Sequence, residues 1–308
     1  MLNITLNSAL EAFKSVAKKC EIIVVDNSDE PIFNAVTKEF RGFYKSFKNI
    51  KFFQHSPPSN HSARMLAAEK ASGEYILCVD SHMLFGHNVI IDALKFLNRH
   101  RRTNLGFCHF PIRHSDRGNS DMIRSMDIHK NGTPYLKRYT LKHGVEQKIL
   151  FKFIPWMCNR DWYLNTLRGY ITHAKHHIVA TGGEMLQQIK AWMLGYENWI
   201  MPTNPIIHIG PFNAQFRKFV GINYRNYPMT DNYPTGFGVI LAFFILGGDN
   251  FGYKQAKLAA QRIYRLHQIN VDDYWPAARA LGMSEHKWLT RNAKISYRKL
   301  LATKPWMH

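Results

Sequence analysis

The chain has 308 residues, 45% of them hydrophobic, which is enough for a substantial core and excludes a disordered or fibrous protein. Lys and Arg number 41 against 22 Asp and Glu, and the formal charge of +19 points to a polyanionic partner: nucleic acid, an anionic membrane face or a phosphorylated substrate. Cys20, Cys78, Cys108 and Cys158 form neither a zinc pattern nor a disulfide framework, and no secretory signal opens the chain, so a cytoplasmic protein is expected, in the host cytoplasm if viral.

Leu6, Leu10, Phe13 and Ala17 recur at helical spacing over residues 6–19. The run EIIVV (21–25) then reads as a buried parallel strand ending at Asp26. A helix fits 31–47, a strand 49–54, a helix 62–72 and a strand 74–79. This alternation predicts an α/β fold, a mostly parallel, Rossmann-like sheet flanked by helices, whose ligands bind beyond the carboxyl ends of the strands. Asp26 and Asp80 stand at such ends.

Immediately after the strand at 74–79 comes Asp80-Ser81-His82. In an extended segment residues i and i+2 project to one side, so Asp80 and His82 can converge on one ion while Ser81 points away. A carboxylate with an imidazole leaves coordination positions open for phosphate oxygens and shifts preference from Mg2+ toward Mn2+. The competing reading is an ordinary solvated Asp at a strand end.

From 105 to 154 the pattern weakens into short strands and polar loops. Gly182-Gly183-Glu184 opens an amphipathic helix with Leu186, Ile189 and Met193 on one face. The glycines let another group approach the backbone closely, and the Glu184 carboxylate is expected in the first turn, facing outward from the sheet. An acid that complements a helix N-terminus is the plainer alternative. The longest apolar stretch, 237–247, is too short to span a bilayer. Residues 213–308 carry 14 Lys or Arg against 5 Asp or Glu, with helical patterns at 253–268 and 284–301. A boundary near 212 therefore divides an α/β domain (1–212) from a basic helical extension (213–308).

These motifs, in order and at their spacing, resemble GT-A glycosyltransferases, both the broad family 2 and the polypeptide N-acetylgalactosaminyltransferases. Ile4-Thr-Leu-Asn7 is similar to the family's opening strand into Pro-Thr-x-Asn. EIIVVDNSDE is similar to its second strand, and Ser62-Ala-Arg64-Met65 followed by ASGEYILCVDSH to its Arg helix and Asp-x-Asp or Asp-x-His strand. GGEMLQQIKAW (182–192) resembles the GGE helix, and PTNPIIH (202–208) the strand that delivers a third metal ligand. The resemblance implies that Asp80, His82 and His208 hold a divalent cation, Mn2+ preferred and Mg2+ possible. It further implies a nucleotide-sugar donor, UDP-linked, contacted by Thr5, Leu6, Asn7, Asp26, Arg64, Asp80, Ser81, Gly182, Gly183 and Glu184, with Glu184 catalytic.

Met185 stands where inverting members carry an Asp base, and methionine cannot take a proton, so either Glu184 is the base or configuration is retained; the resemblance to the N-acetylgalactosaminyltransferases, which also lack that Asp and are retaining, implies retention. For the acceptor, basic residues next to aromatics favour double-stranded DNA: Arg262 and Arg265 with Tyr264, Lys287 and Arg291 with Trp288, Arg298 and Lys299 with Tyr297. Arg291, Arg298 and Lys299 are the expected acceptor-binding residues, helped by the basic cluster at 99–117 and the histidines of 173–177. A phage-type transfer to hydroxymethylated pyrimidines, flipped from the duplex, fits this pattern. The alternatives are a surface-polysaccharide transferase acting on a lipid-linked acceptor, with peripheral membrane contact, and a nucleic-acid-binding protein on a degenerate scaffold.

Overall fold

The computed structural model describes residues 2–26, 34, 38–40, 42, 44, 49–55, 60–114, 122–128, 134–140, 146–152, 154–169, 181–209, 237–260 and 270–307. The expected helix at 31–47 lies largely outside these residues, as do Tyr264, the loop 173–177 and most of the segment after His208.

The chain opens on a helix, α1 (Leu2–Phe13), and this corrects the expected strand at Ile4–Asn7. Leu6 and Ala9 bury one helical face, and Phe13 packs on the Phe85 ring. Strands β1 (Ile22–Asp26) and β2 (Ile50–Gln54) pair in parallel, with Asp26 opposite Gln54. Every residue of β1 is half-buried, less enclosed than the sequence suggested.

Helix α2 (Asn60–Lys70) leads into β3 (Tyr75–Cys78) and, after a turn, β4 (Met83–Leu84). Helix α3 (Val89–Arg99) precedes β5 (Leu105–His109) and β6 (Ile112–His114). A hairpin of β7 (Met122–Ile128) and β8 (Pro134–Thr140) follows, then β9 (Gln147–Lys148), β10 (Phe151–Lys152) and β11 (Trp156–Asn159). The central sheet has the order β3-β11-β5-β12-β9, in which β12 is Glu197–Ile200. Strand β11 runs antiparallel to both β3 and β5, and β12 runs parallel to β5. Thus β3, β5 and β12 share one direction, and their carboxyl ends define one edge of the sheet.

Helix α4 (Thr181–Met193) is buried from Gly183 to Met193 because the sheet lies on one side and α5 (Phe237–Gly247) on the other. All residues of α5 from Phe237 to Leu246 are buried, as an apolar helix without a polar face requires. It packs in turn on α7 (Val271–Asn292), where Gly282 permits the approach: a Cβ there would stand 2.7 Å from the Phe244 ring. Helix α6 (Tyr253–Ala260) accounts for part of the first expected C-terminal helix. The second, expected unbroken over 284–301, is interrupted: α7 ends at an extended Ala293, and Ser296 caps α8 (Tyr297–Thr303) by accepting from Lys299 N. One hydrophobic cluster runs through all these layers, from Met65 to Trp306.

Among the described residues, Lys190 and Lys152 are lysines buried in this core. Lys190 of α4 pairs with Glu285 of α7 at 2.6 Å, so its charge is compensated. Lys152 of β10 is 2% exposed and its Nζ donates to the Phe110 carbonyl. Burial pulls the Lys152 ammonium down to about 7. A lowered lysine pKa means the native state binds fewer protons than the unfolded chain between about pH 7 and 10.5, so stability rises with pH across that window. Lys152→Met should therefore stabilise the fold by about 2 kcal/mol at pH 7, the ammonium's burial cost less the loss of the Phe110 bond. The gain should shrink toward pH 10, and denaturant melts at both pH values check it.

Candidate active site

The site gathers at the carboxyl end of β3. Val79 and Asp80 leave the strand, Ser81 and His82 form a turn, and β4 starts at Met83. The extended geometry expected for Asp80-Ser81-His82 is thus replaced by a turn, which brings Asp80 and His82 together and leaves Ser81 exposed. The turn forms because β4 leaves the central sheet to pair antiparallel with β13 (Ile206–His208), where Met83 faces His208. This register sets His208 beside His82. Their Nε2 atoms are 3.0 Å apart with rings edge-on, and Asp80 Oδ2 lies 3.8 Å from His208 Nε2.

The three ligand atoms lie within 4.8 Å of one another. An octahedral cation with bonds of about 2.1 Å places neighbouring donors about 3.0 Å apart, the spacing of the two imidazole nitrogens. Burial lowers the His82 pKa, with Asp80 opposing, so the ring is available as the neutral imidazole that ligation requires. The donor set fits a divalent cation, and two nitrogens suit Mn2+ better than Mg2+.

Helix α1 holds this turn in place. Met83 N–H donates to Thr5 Oγ1 at 2.9 Å and Phe85 N–H to Ser8 Oγ at 2.8 Å. Thr5 is therefore buried beneath β4, Leu6 is in the core, and Asn7 accepts from the Tyr44 hydroxyl. Thr5 and Leu6 are thus buried on the docked helix, whereas Asn7 stays exposed on it. Ser8 was not anticipated; its spacing of three from Thr5, along one helical face, was the available signal. Asp26 stands at the carboxyl end of β1, in the separate two-stranded sheet.

Glu184 does not face outward. It is 5% exposed, and its Oε1 accepts from Arg64 Nη1 at 2.6 Å, with the Ile154 N–H also bonded to the carboxylate. The inward aim follows from α4 being enclosed on both sides, so that an acid in its first turn needs an internal partner. Burial pushes the Glu184 carboxyl above its ordinary range, Arg64 draws it back, and Asp80 adds to the rise. Burial opposes the charge on Arg64, but Cys78, Glu184 and Asp80 together hold its pKa above the ordinary value. Arg64 and Glu184 thus form a buried ion pair within the electrostatic reach of Asp80.

Gly182 lies in the first turn of α4. The place a Cβ of Gly183 would take is filled by the His61 ring, 2.5 Å from its Nε2, so this glycine admits an imidazole.

The C-terminal residues lie elsewhere. Lys294 N and Ile295 N both donate to the Met193 carbonyl, at the far end of α4. Arg291, Arg298 and Lys299, all exposed, flank that turn. Met193 stands nine positions after Glu184 in the helix, about 14 Å along the axis. The structure does not bring these cations to the triad. Of the paired aromatics, Tyr297 is buried against Phe251, and Trp288 is flanked by Arg168 at 4.8 Å and Lys190 at 5.0 Å, so neither is free to stack on a base. Arg99 of the 99–117 cluster is paired with Glu146.

A mixed sheet flanked by helices, with an acid and two histidines gathered at a strand's carboxyl end, is a GT-A-like glycosyltransferase fold. Residues 1–155 match the family model for glycosyl transferase family 2, and the chain belongs to that family. An uncharacterized glycosyltransferase of Rickettsia bellii (strain RML369-C) is 35% identical over 97 residues, 31% of this chain and 13% of the relative. The likenesses to solved structures are at the level of fold. GalNAc-T7 with UDP, GalNAc and Mn2+ has a TM-score of 0.62 at 14% identity, over 98% of this chain and 54% of that one. TarS 1-349 of S. aureus in complex with UDP-GlcNAc has a TM-score of 0.53 at 14% identity, over 94% of this chain and 79% of that one. The chain therefore spans about half the length of GalNAc-T7 and about an eighth of the Rickettsia protein. Among the described residues no helix is long and apolar enough to cross a membrane.

Proposed function

We propose that this protein transfers a sugar from a UDP-linked donor to a hydroxyl acceptor, with retention of configuration. The observation that carries the reading is the Asp80, His82 and His208 cluster at the end of β3 in a family 2 domain. A divalent cation held there, Mn2+ by its two nitrogen ligands, would supply positive charge to a diphosphate leaving group. Arg64 brings a second positive charge to the same place, and Glu184 fixes its guanidinium. Met185 cannot accept a proton and the Glu184 carboxylate is engaged by Arg64, which favours the departing phosphate as the group that takes the acceptor's proton on the same face.

For the acceptor we propose duplex DNA carrying a hydroxymethylated base. The support is the charge of +19 and the exposed run Lys287, Arg291, Lys294, Arg298 and Lys299, for which no acidic partner is found among the described residues. Set apart from the triad, these cations would grip phosphates distant from the reacting base, a role open to a polymer and closed to a small acceptor. With a UDP-α-sugar the product linkage should be α by NMR; a β-linkage would overturn retention and make Glu184 the base. Binding to duplex DNA should weaken steeply between about 50 and 200 mM salt and further on charge reversal at Arg291, Arg298 and Lys299. Binding to anionic vesicles, with transfer to a lipid-linked acceptor and none to DNA, would replace the DNA reading by the membrane one.

A further inference from the structure

Helix α2 addresses the first turn of α4 with two side chains one turn apart. Arg64 takes Glu184 at 2.6 Å, and His61, three residues earlier on the same face, takes Gly183. His61 is completely buried, and its Nε2, Cδ2 and Cε1 lie 2.5, 2.7 and 2.7 Å from where a Gly183 Cβ would stand. The ring edge therefore rests on the Gly183 backbone, one residue before the carboxylate.

We infer that His61 is a positioning residue: its ring sets the seat of Gly183 and so the height at which Glu184 meets Arg64 beside Asp80. The inference rests on the proposed role of Glu184 in sugar transfer. Its chemical content is steric. A shorter side chain at 61 lets the amino end of α4 sink toward α2, and a Cβ at 183 pushes it away, because a buried ring in a packed core has no free space into which to swing. Either change moves the carboxylate along the line between the helices, and a displacement near 1 Å at a reacting centre is worth about a hundredfold in rate.

The contact and its consequence are tested separately. His61→Ala and Gly183→Ala should each lower the melting temperature, and the double variant should lose less than the sum, since the new methyl enters space vacated by the ring. In turnover with UDP-sugar, each single variant should drop kcat about 10- to 100-fold with donor KM within about threefold, as expected for an effect confined to the transition state. The double variant should recover to within about tenfold of wild type. His61→Gln, whose amide reaches the place of Nε2, should retain most of kcat. All rates are read below the melting temperature of the weakest variant, with folding checked by circular dichroism. Wild-type kcat in His61→Ala, or losses that multiply in the double variant, would overturn the inference. A wild-type protein that turns over no nucleotide-sugar would sink the transferase reading instead, while additive melting shifts would show the His61–Gly183 contact itself to be absent.

Discussion

Asp80→Ala, His82→Ala and His208→Ala should each abolish sugar transfer while the protein stays folded. The cluster draws its ligands from two segments more than a hundred residues apart, brought together by the β4–β13 pairing, so no neighbouring group stands ready to replace one that is lost. A cation stabilises charge on a diphosphate by several kcal/mol, and at 1.36 kcal/mol per decade its loss costs on the order of 10^3 in rate. The fold should tolerate the changes because all three side chains retain solvent contact, Asp80 at 35% and His208 at 17% exposed, and no core packing rests on them. EDTA should reproduce the effect in wild type, with Mn2+ restoring turnover, and calorimetric titration with Mn2+ should show binding in wild type and none in the variants. Turnover unchanged in EDTA and in both Asp80→Ala and His82→Ala would remove the metal from the reaction.

The parts of this site that could be read from sequence are those whose chemistry is local. EIIVV, the strand into Asp80 and the GGE helix announce themselves by apolar run, strand end and double glycine, and each is where the spacing put it. What sequence could not show depends on pairing at a distance. Residues 2–7 satisfy a strand and a helical pattern alike, and the helix wins because Leu6 and Ala9 find a core while Thr5 and Ser8 find β4. Glu184 looked like an outward acid because nothing in its neighbourhood in sequence reveals that α5 covers α4. The basic C-terminal run looked close to the chemistry since charge and aromatics alternate in it, but alternation says nothing about which end of α4 the turn at Lys294 reaches. His61 carries no motif at all. Its meaning appears only with the empty side of Gly183 against its ring.

The Arg64–Glu184 pair should separate a stabilising role from a chemical one. Arg64→Met leaves Glu184 as a buried carboxylate with the Ile154 N–H and no counter-charge, a change that costs about 3–5 kcal/mol in buried pairs. At about 2–4 °C per kcal/mol for a chain of this size, the melting temperature should fall by roughly 6–20 °C. Glu184→Gln should cost less, since the amide oxygen still accepts from Arg64, although the guanidinium then lacks its anion. Replacing both at once, Arg64→Met with Glu184→Leu, removes the uncompensated charge and should return most of the lost stability. Activity should not follow. If the guanidinium faces a diphosphate and the carboxylate orients it, the double variant stays at least 10^2-fold below wild type in kcat even when as stable as wild type. Recovery of both stability and turnover would reduce the pair to a fold device, whereas Arg64→Met melting within about 1 kcal/mol of wild type would mean that the pair is not formed in solution. Stability restored without turnover is the outcome that ties α2 to the chemistry, because it shows the two charges kept together at a cost that packing alone would not impose.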